Sequence, residues 1–167
     1  MTSTQADKAA MAGIPVARLN HAVLYVRDLD RACRFYSELF DFEVIARERG
    51  LMAFLRAEGS DNHHDLGLFA VGPNAPNPPR GSVGLYHLAW QVGSLDDLAT
   101  ARESLLRAGA FVGEADHGAT KSIYGHDPDG NEFEIMYLLP RAEWGEYERQ
   151  AIVAPLHLEQ ELDSRRT

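Results

Sequence analysis

The sequence is almost without cysteine, since Cys33 is the only one among 167 residues. An internal disulfide is therefore impossible, which excludes the disulfide-stapled secreted domains and makes a reducing cytoplasm the expected compartment. Basic residues are also scarce: 16 lysines and arginines stand against 25 aspartates and glutamates, for a net charge of -9 at pH 7. Phosphate binding needs clustered basic side chains, so we expect no nucleic-acid partner and no anionic membrane surface.

Long apolar runs are missing as well. No stretch approaches the roughly 20 consecutive apolar residues that a transmembrane helix needs. The first segment, MTSTQADKAAMAGIPVARLN, has no apolar h-region and is not expected to be a secretory signal. With 45% hydrophobic and 25% charged residues, the composition is that of an ordinary globular domain. We therefore expect a soluble, cytoplasmic protein.

What the sequence does contain is an internal repeat. LNHAVLYVRDLDRACRFYSEL begins at Leu19, and LYHLAWQVGSLDDLATARESL begins 66 residues later, at Leu85. Both segments align without a gap, and each has the pattern of a short apolar strand, a turn and a helix. Asp28 and Ser94 are the predicted N-caps, and Gly109 is placed to end the second helix.

Three strand-like runs follow each helix. They are FEVIARER, LMAFLRAE and HDLGLFAV in the first copy, and FVGEADH, KSIYGHD and EFEIMYL in the second. Two βαβββ modules are therefore predicted, at about residues 18–71 and 83–139, joined by a linker over 72–82 that is rich in proline and glycine. Residues 1–17 are predicted to be a flexible tail. Residues 140–167 are predicted to contain one more helix, in RAEWGEYERQAI, and a mobile end.

Two histidines occupy matched positions in the repeat. His21 and His87 each stand at the start of a strand, and an approximate two-fold axis between the modules would bring both imidazoles to one metal ion. Glu134 follows the DPDGN turn in an apolar strand, where a carboxylate is costly to bury unless it is paired or metal-bound. Either histidine alone is more often a simple strand-end residue. The three together predict a site of two histidines and one glutamate, with Glu132 as the weaker candidate on the same face.

The repeat, the opening NHAVLYVRDLDRACRFYSELFDF and DPDGNEFEI together resemble the vicinal oxygen chelate superfamily. That superfamily includes glyoxalase I, type I extradiol dioxygenases, methylmalonyl-CoA epimerase and antibiotic-resistance proteins. The resemblance covers about residues 18–139. It implies an α+β fold in which two βαβββ modules form an open barrel around a metal site, with His21, His87 and Glu134 as the metal ligands.

The adjacent histidines in NHHDLGLFAV carry the resemblance to the extradiol dioxygenases. In those enzymes a His-His pair precedes the last strand of the first module, and His64 matches the acid-base residue beside the O₂ position. Tyr124 matches a tyrosine that hydrogen-bonds the substrate oxygen, and His117 matches a second active-site histidine. The resemblance thus implies a single-domain, Fe(II)-dependent dioxygenase of aromatic compound catabolism, acting on a catechol-type aromatic diol with O₂.

The number of protein ligands separates this interpretation from its rivals. Glyoxalase I has a fourth ligand, a carboxylate in the last strand of the first module, where the 66-residue offset puts Leu68, or Gly67 if the register slips. Neither can bind a metal, and three ligands leave open the face that non-haem Fe(II) oxygenases use. Two alternatives stay open. One is another metal-dependent reaction, with Mn, Ni or Zn, catalysed by a glyoxalase-like lyase, an epimerase or a thiol transferase. The other is a non-catalytic binding or resistance protein.

The C-terminal region predicts how the chain assembles. Trp144, Tyr147 and Ala151 follow the spacing of one apolar stripe on a helix, and such a stripe must pack on something. We expect this helix to lie against the barrel or against a second subunit. The resemblance also implies a symmetric homodimer.

Overall fold

The computed structural model describes residues 13–79 and 81–166. These residues contain two successive modules, each with the order strand, helix, strand, strand, strand. The first consists of β1 (Ala22–Val26), α1 (Leu29–Phe40), β2 (Glu43–Glu48), β3 (Met52–Arg56) and β4 (Leu66–Ala70). The second consists of β5 (Leu88–Val92), α2 (Leu95–Ala108), β6 (Phe111–Asp116), β7 (Thr120–His126) and β8 (Glu132–Leu138). The α+β fold and the βαβββ repeat are confirmed.

Each module forms its own four-stranded mixed sheet. The strand orders are β1-β4-β3-β2 and β5-β8-β7-β6, and the first two strands of each sheet are parallel while the others are antiparallel. The second strand of each module carries a register shift, between Val44 and Ala46 in one and between Phe111 and Gly113 in the other. The repeat therefore extends to the irregularities of the two sheets.

The helix ends follow the predicted caps. The Asp28 side chain accepts a hydrogen bond from the backbone N–H of Arg31, and the Ser94 hydroxyl accepts one from that of Asp97. The second helix ends at Gly109, whose φ of 65° lies in the left-handed region that glycine adopts without steric cost.

The apolar core lies on the helix side of both sheets. Leu66 and Leu68 of β4 are fully buried beneath α1. The same helix also contacts the second module, since Phe35 and Phe40 pack on Phe133 with ring centroids 6.0 and 5.1 Å apart. α1 therefore joins the two cores.

The DPDGN turn adds a polar junction between the modules. The buried Asp129 carboxylate accepts hydrogen bonds from the backbone N–H of Arg27 and from the guanidinium groups of Arg27 and Arg31, at 2.8–3.2 Å. The Tyr36 hydroxyl donates to Asp127 at 3.2 Å. Burial, and then the charge of Asp127, raises the pKa of Tyr36 well above its ordinary value, so the phenol remains a donor.

The opposite face of each sheet is open to solvent. On β1 the side chains alternate as expected: Leu24 and Val26 are buried, while Val23 and Tyr25 are 48% and 71% exposed. On β5 the exposed residues are Ala89 and Gln91. The predicted metal ligands belong to these open faces.

The C-terminal helix lies elsewhere than the sequence predicted. Two short 3₁₀ turns, Arg141–Glu143 and Gly145–Glu148, occupy the expected helix, because Gly145 has a φ of 51° that an α-helix does not allow. The helix α3 (Leu158–Arg166) forms instead in the segment expected to be a mobile end. Leu158 is buried in the core of the second module. Among the described residues no helix is long and apolar enough to cross a membrane.

Candidate metal centre

His87 and Glu134 form a pair on the second sheet. His87 directly precedes β5, and Glu134 lies on the neighbouring strand β8. The His87 Nε2 and Glu134 Oε2 atoms are 3.1 Å apart, and the two side chains are 24% and 12% exposed. The other ring nitrogen, Nδ1 of His87, is buried and has no hydrogen-bond partner among the described residues. A mostly buried carboxylate and an imidazole with an unpartnered nitrogen are two donor groups of the kinds that bind divalent metal ions.

Tyr124 and His117 lie beside this pair. Tyr124 is directly opposite Glu134 on the antiparallel strand β7, so the two side chains share a face. Burial, and then the charge of Glu134, raises the pKa of Tyr124. The His117 Nε2 atom lies 2.8 Å from the Tyr124 hydroxyl, and His117 Nδ1 lies 2.8 Å from the carbonyl oxygen of Ile152. Tyr124 is thus a neutral phenol in a hydrogen-bonded chain.

His21 and His64 lie on the first sheet. Their rings are 4.3 Å apart, and the His64 ring also packs on Phe54 at 4.7 Å. The Nδ1 atom of His21 lies 2.9 Å from the Asn20 side-chain oxygen. Because that oxygen can only accept, Nδ1 carries the proton and the Nε2 lone pair of His21 is free, as in a metal-ligating histidine. Burial, followed by the neighbouring His21 and His63, lowers the pKa of His64.

The position of His64 does not follow from strand alternation. Alternation would put His64 on the same face as Leu66 and Leu68, but both leucines point into the core beneath α1. His64 lies before β4, in a bend that turns its ring to the opposite face of the sheet. His64 thus lies on the same face as His21 and opposite to Leu66 and Leu68.

A polar loop that the sequence analysis did not single out holds His64. The Asp65 carboxylate accepts hydrogen bonds from Ala57 N–H at 2.8 Å, from the Ser60 hydroxyl at 2.8 Å and from the Asn62 amide at 2.7 Å. Asn62 also donates to the carbonyl oxygen of Asn20, next to His21, at 2.9 Å. The polar residues in the run DNHHD, around the histidine pair, were the sequence feature from which this loop could have been predicted.

The strand register identifies the first-module counterpart of Glu134. Val23 and Ala89 are equivalent by the 66-residue offset, and they pair with Gly67 and Glu134 respectively. The counterpart is therefore Gly67, the second of the two predicted options, whereas Leu68 is a core residue. Glycine has no side chain, so the first sheet offers no carboxylate at this position.

Glu132, the weaker ligand candidate, has partners of its own. Its carboxylate lies 3.2 Å from His126 Nε2. A hydrogen bond to Glu132 also raises the pKa of Tyr86. Glu132 therefore belongs to the rim, one step along the strand face from Glu134.

The predicted ligands are divided between the two sheets. His87 and Glu134 are in contact, whereas the contacts of His21 are with Asn20 and His64. Across residues 13–79 and 81–166, no group of three or more His, Cys, Asp or Glu side chains could hold a metal ion. One chain thus presents two partial sets of candidate side chains. His21 and His64 lie together on the first sheet, and His87, Glu134, Tyr124 and His117 lie together on the second.

Comparison with known proteins identifies the fold and its relatives. Residues 18–135 match the family model of the Glyoxalase/Bleomycin resistance protein/Dioxygenase superfamily. The chain is 32% identical over 127 residues to a catechol-2,3-dioxygenase of Bacillus subtilis (strain 168), covering 75% of this chain and 43% of that protein. It is 32% identical over 121 residues to a biphenyl-2,3-diol 1,2-dioxygenase of Rhodococcus globerulus, covering 71% and 62%. The chain thus spans less than two thirds of either relative.

Solved structures share the fold. A glyoxylase/bleomycin resistance protein/dioxygenase domain from Frankia sp. EAN1pec is 28% identical with a TM-score of 0.63, covering 75% of this chain and 95% of that one. A fosfomycin resistance protein from Listeria monocytogenes, complexed with Mn(II), is 20% identical with a TM-score of 0.61, covering 79% and 98%. The second likeness shows the fold alone.

Proposed function

The chain belongs to the glyoxalase/bleomycin resistance protein/dioxygenase superfamily, and we propose that it is an Fe(II)-dependent extradiol dioxygenase acting on a catechol-type diol. The observation that carries the proposal is the hydrogen-bonded His117–Tyr124 pair beside His87 and Glu134. A phenol backed by an imidazole is suited to hold a substrate hydroxyl and take up its proton. Two curated relatives are named as dioxygenases of aromatic diols, which supports the same chemistry.

The number of protein ligands favours a three-ligand site for O₂ chemistry over the four-ligand site of glyoxalase I. Gly67 stands where a second carboxylate would be needed, so His21, His87 and Glu134 are the proposed ligand set. Two histidines and one carboxylate are the protein ligands of non-haem Fe(II) oxygenases. When bound, ferrous iron would supply the Lewis acidity that lowers the pKa of a diol hydroxyl, while the diol itself would be the net donor of the electrons that reduce O₂.

The side chains around the ligands have separable roles. Tyr124 would accept a hydroxyl proton of the diol while passing its own proton to His117. His64, with its pKa lowered by burial, would be neutral near pH 7 and able to exchange a proton with the oxygen of the reacting group. Both atoms of O₂ enter the product, a ring-opened semialdehyde or a related acid, and no other oxidant is needed.

We further propose that two copies of the chain complete the site. The first sheet presents His21 and His64, and the second presents His87, Glu134 and Tyr124. A two-fold axis that set the first sheet of one copy against the second sheet of the other would join the partial sites twice, because such an interface is reciprocal. The same contact would cover Val23 and Tyr25, which are 48% and 71% exposed on the His21 face.

The activity is tested directly by a substrate panel. Full-length protein loaded with Fe(II) under anaerobic conditions is mixed with single-ring and fused-ring catechols, and O₂ uptake and yellow ring-fission products are followed. We expect stoichiometric O₂ uptake with at least one diol and none with the Glu134→Gln variant. Turnover of a hemithioacetal with Ni or Zn, without O₂ consumption, would instead identify a glyoxalase-type enzyme and overturn the proposal.

A further inference from the structure

The segment from Pro140 to Leu158 lies beyond the family match, which ends at residue 135, and yet it contacts the candidate site. Its point of contact is the carbonyl oxygen of Ile152, 2.8 Å from Nδ1 of His117. Because this contact is made by a backbone group, no residue type in the sequence predicts it.

The hydrogen bonds around a neutral His117 have only one possible direction. A carbonyl oxygen accepts and never donates, so the proton must be on Nδ1 of His117. In a neutral imidazole the Nε2 atom is then an acceptor, and the Tyr124 hydroxyl, 2.8 Å away, must be the donor. The Tyr124 hydroxyl thus donates a hydrogen bond to His117 Nε2, and His117 Nδ1–H donates one to the Ile152 carbonyl oxygen.

Contacts along the segment fix the position of that carbonyl group. Asp116 and Ala154 exchange two backbone hydrogen bonds, of 2.8 and 2.9 Å, which add a β-bridge at the end of β6. The Tyr147 ring lies so close to Gly118 that a Cβ there would come within 2.5 Å of it. Trp144 Nε1 donates to the carbonyl oxygen of Leu139 at 2.7 Å. Ile152 is thus held between anchored positions.

We propose that this C-terminal segment is a positioning element that sets the direction of proton transfer in the site. By accepting from Nδ1, the Ile152 carbonyl group keeps His117 in the tautomer that can receive a proton at Nε2. A substrate hydroxyl then gives its proton to the Tyr124 oxygen, the Tyr124 proton moves to His117 Nε2, and an imidazolium remains with both N–H groups bonded. The catalytic consequence rests on the proposed dioxygenase function, whereas the tautomer does not.

The tautomer is measured without any activity assay. Full-length protein carrying nitrogen-15-labelled histidine is studied by NMR, and His117 is assigned among the seven histidines by its loss in His117→Asn. We expect the one-bond N–H coupling of neutral His117 at Nδ1, with an unprotonated Nε2. A proton on Nε2, or a rapidly exchanging mixture, would overturn the proposal.

A pair of variants tests what the segment does. Tyr147→Ala removes the ring that packs on Gly118, whereas Tyr147→Phe keeps the ring and serves as the control. We expect Tyr147→Ala to populate the Nε2–H tautomer of His117 and to lower kcat roughly 10–100-fold, with the KM for the diol changed much less. Tyr147→Phe should match the parent in both respects.

The outcomes separate this proposal from the proposed function. An Nδ1–H tautomer in a protein that consumes no O₂ with any diol would leave the positioning of His117 intact and remove the dioxygenase reaction. If Tyr147→Ala shifts the tautomer of His117 but keeps the kcat of the parent, the proposed positioning role is contradicted. Unchanged His117 signals in Tyr147→Ala would show that the segment does not control the ring.

Discussion

At the scale of single residues, His64 and Glu134 differ in how tightly their surroundings hold them. Glu134 is fixed by the strand β8 and by its contact with His87. His64 lies outside the strands, and its ring is held by contacts with His21 and Phe54. His64 is not itself a proposed ligand, so its chemical role can be tested separately from metal binding.

For His64→Ala we expect turnover to slow by roughly 10²–10⁴-fold, the usual contribution of a general acid-base group. Iron content should stay near that of the parent, because His64 is not among the proposed ligands. Steady-state O₂ uptake and metal analysis of the purified variant measure the two effects. The exposed His157, which is outside both sets of candidate side chains, provides the matched control, and His157→Ala should remain close to the parent. A His64→Ala variant as active as the parent would contradict the assigned role.

Asp65 supplies a prediction about pH. Partial burial works to raise its pKa, but hydrogen bonds from Asn62, Ala57 and Ser60 outweigh burial and hold the pKa of Asp65 below its ordinary value. A depressed carboxyl pKa stabilises the fold above the unfolded pKa of about 3.9, and the contribution is lost as the pH falls through the folded pKa.

Asp65→Asn should therefore lower the free energy of unfolding at pH 7 by about 1–3 kcal/mol, the range for a partly buried hydrogen-bonded charge. The difference from the parent should shrink as the pH is lowered below 4. Urea denaturation at a series of pH values measures it, with Asp61→Asn as the control, since Asp61 is exposed and pairs with the exposed Arg18. A difference independent of pH would show that charge is not the cause.

From the sequence, the repeat and strand alternation predicted that His87 and Glu134 lie close together, and the resemblance to the extradiol dioxygenases added Tyr124. The structure brings these three side chains together. The carbonyl group of Ile152 could not be found, since every residue has one. Gly67 replaced Leu68 as the counterpart of Glu134 because strand pairing, and not a constant offset along the chain, decides which residues are equivalent.

At the scale of the elements, local signals predicted helix ends better than they predicted the C-terminal region. Asp28, Ser94 and Gly109 cap their helices as expected, because caps depend on side chains within a few residues. The apolar spacing of Trp144 and Tyr147 predicted a helix that does not form, because Gly145 between them has a positive φ that an α-helix does not allow. A periodic pattern is weak evidence where a glycine interrupts it.

The DPDGN turn shows that an element can join the modules as well as end a hairpin. Asp129→Asn should lower the free energy of unfolding by about 1–3 kcal/mol, because it removes a buried charge that pairs with Arg27 and Arg31. Both arginines remain partly exposed to water, which keeps the loss below that of a fully buried pair. Chemical denaturation measures the change. The control is Asp96→Asn, whose exposed pair with Arg166 should contribute less than about 0.5 kcal/mol, and equal losses in both variants would contradict the assignment.

At the scale of the whole molecule, the arrangement of the two modules is what the repeat alone could not predict. Matched histidines suggested a single internal axis and one complete site, but α1 joins the modules through Phe40 and Phe133 on their helix sides. Which faces meet depends on such packing and not on periodicity. The faces that carry His21 and Glu134 are therefore the ones turned away from this shared core.

Mixing two inactive variants tests whether a second copy completes the site. If His21 of one copy works with Glu134 of the other, a mixed dimer of His21→Ala and Glu134→Ala has one site with both defects and one intact site. Random exchange makes half of the dimers mixed, so about a quarter of the parental activity should return. The two variants are purified separately, mixed under conditions that exchange subunits, loaded with Fe(II), and assayed by O₂ uptake alongside sedimentation. Each variant unfolded and refolded alone is the control. If the three ligands instead came from one chain, every site in the mixture would still lack a ligand, and activity would stay at the level of the separate variants even though mixed dimers had formed.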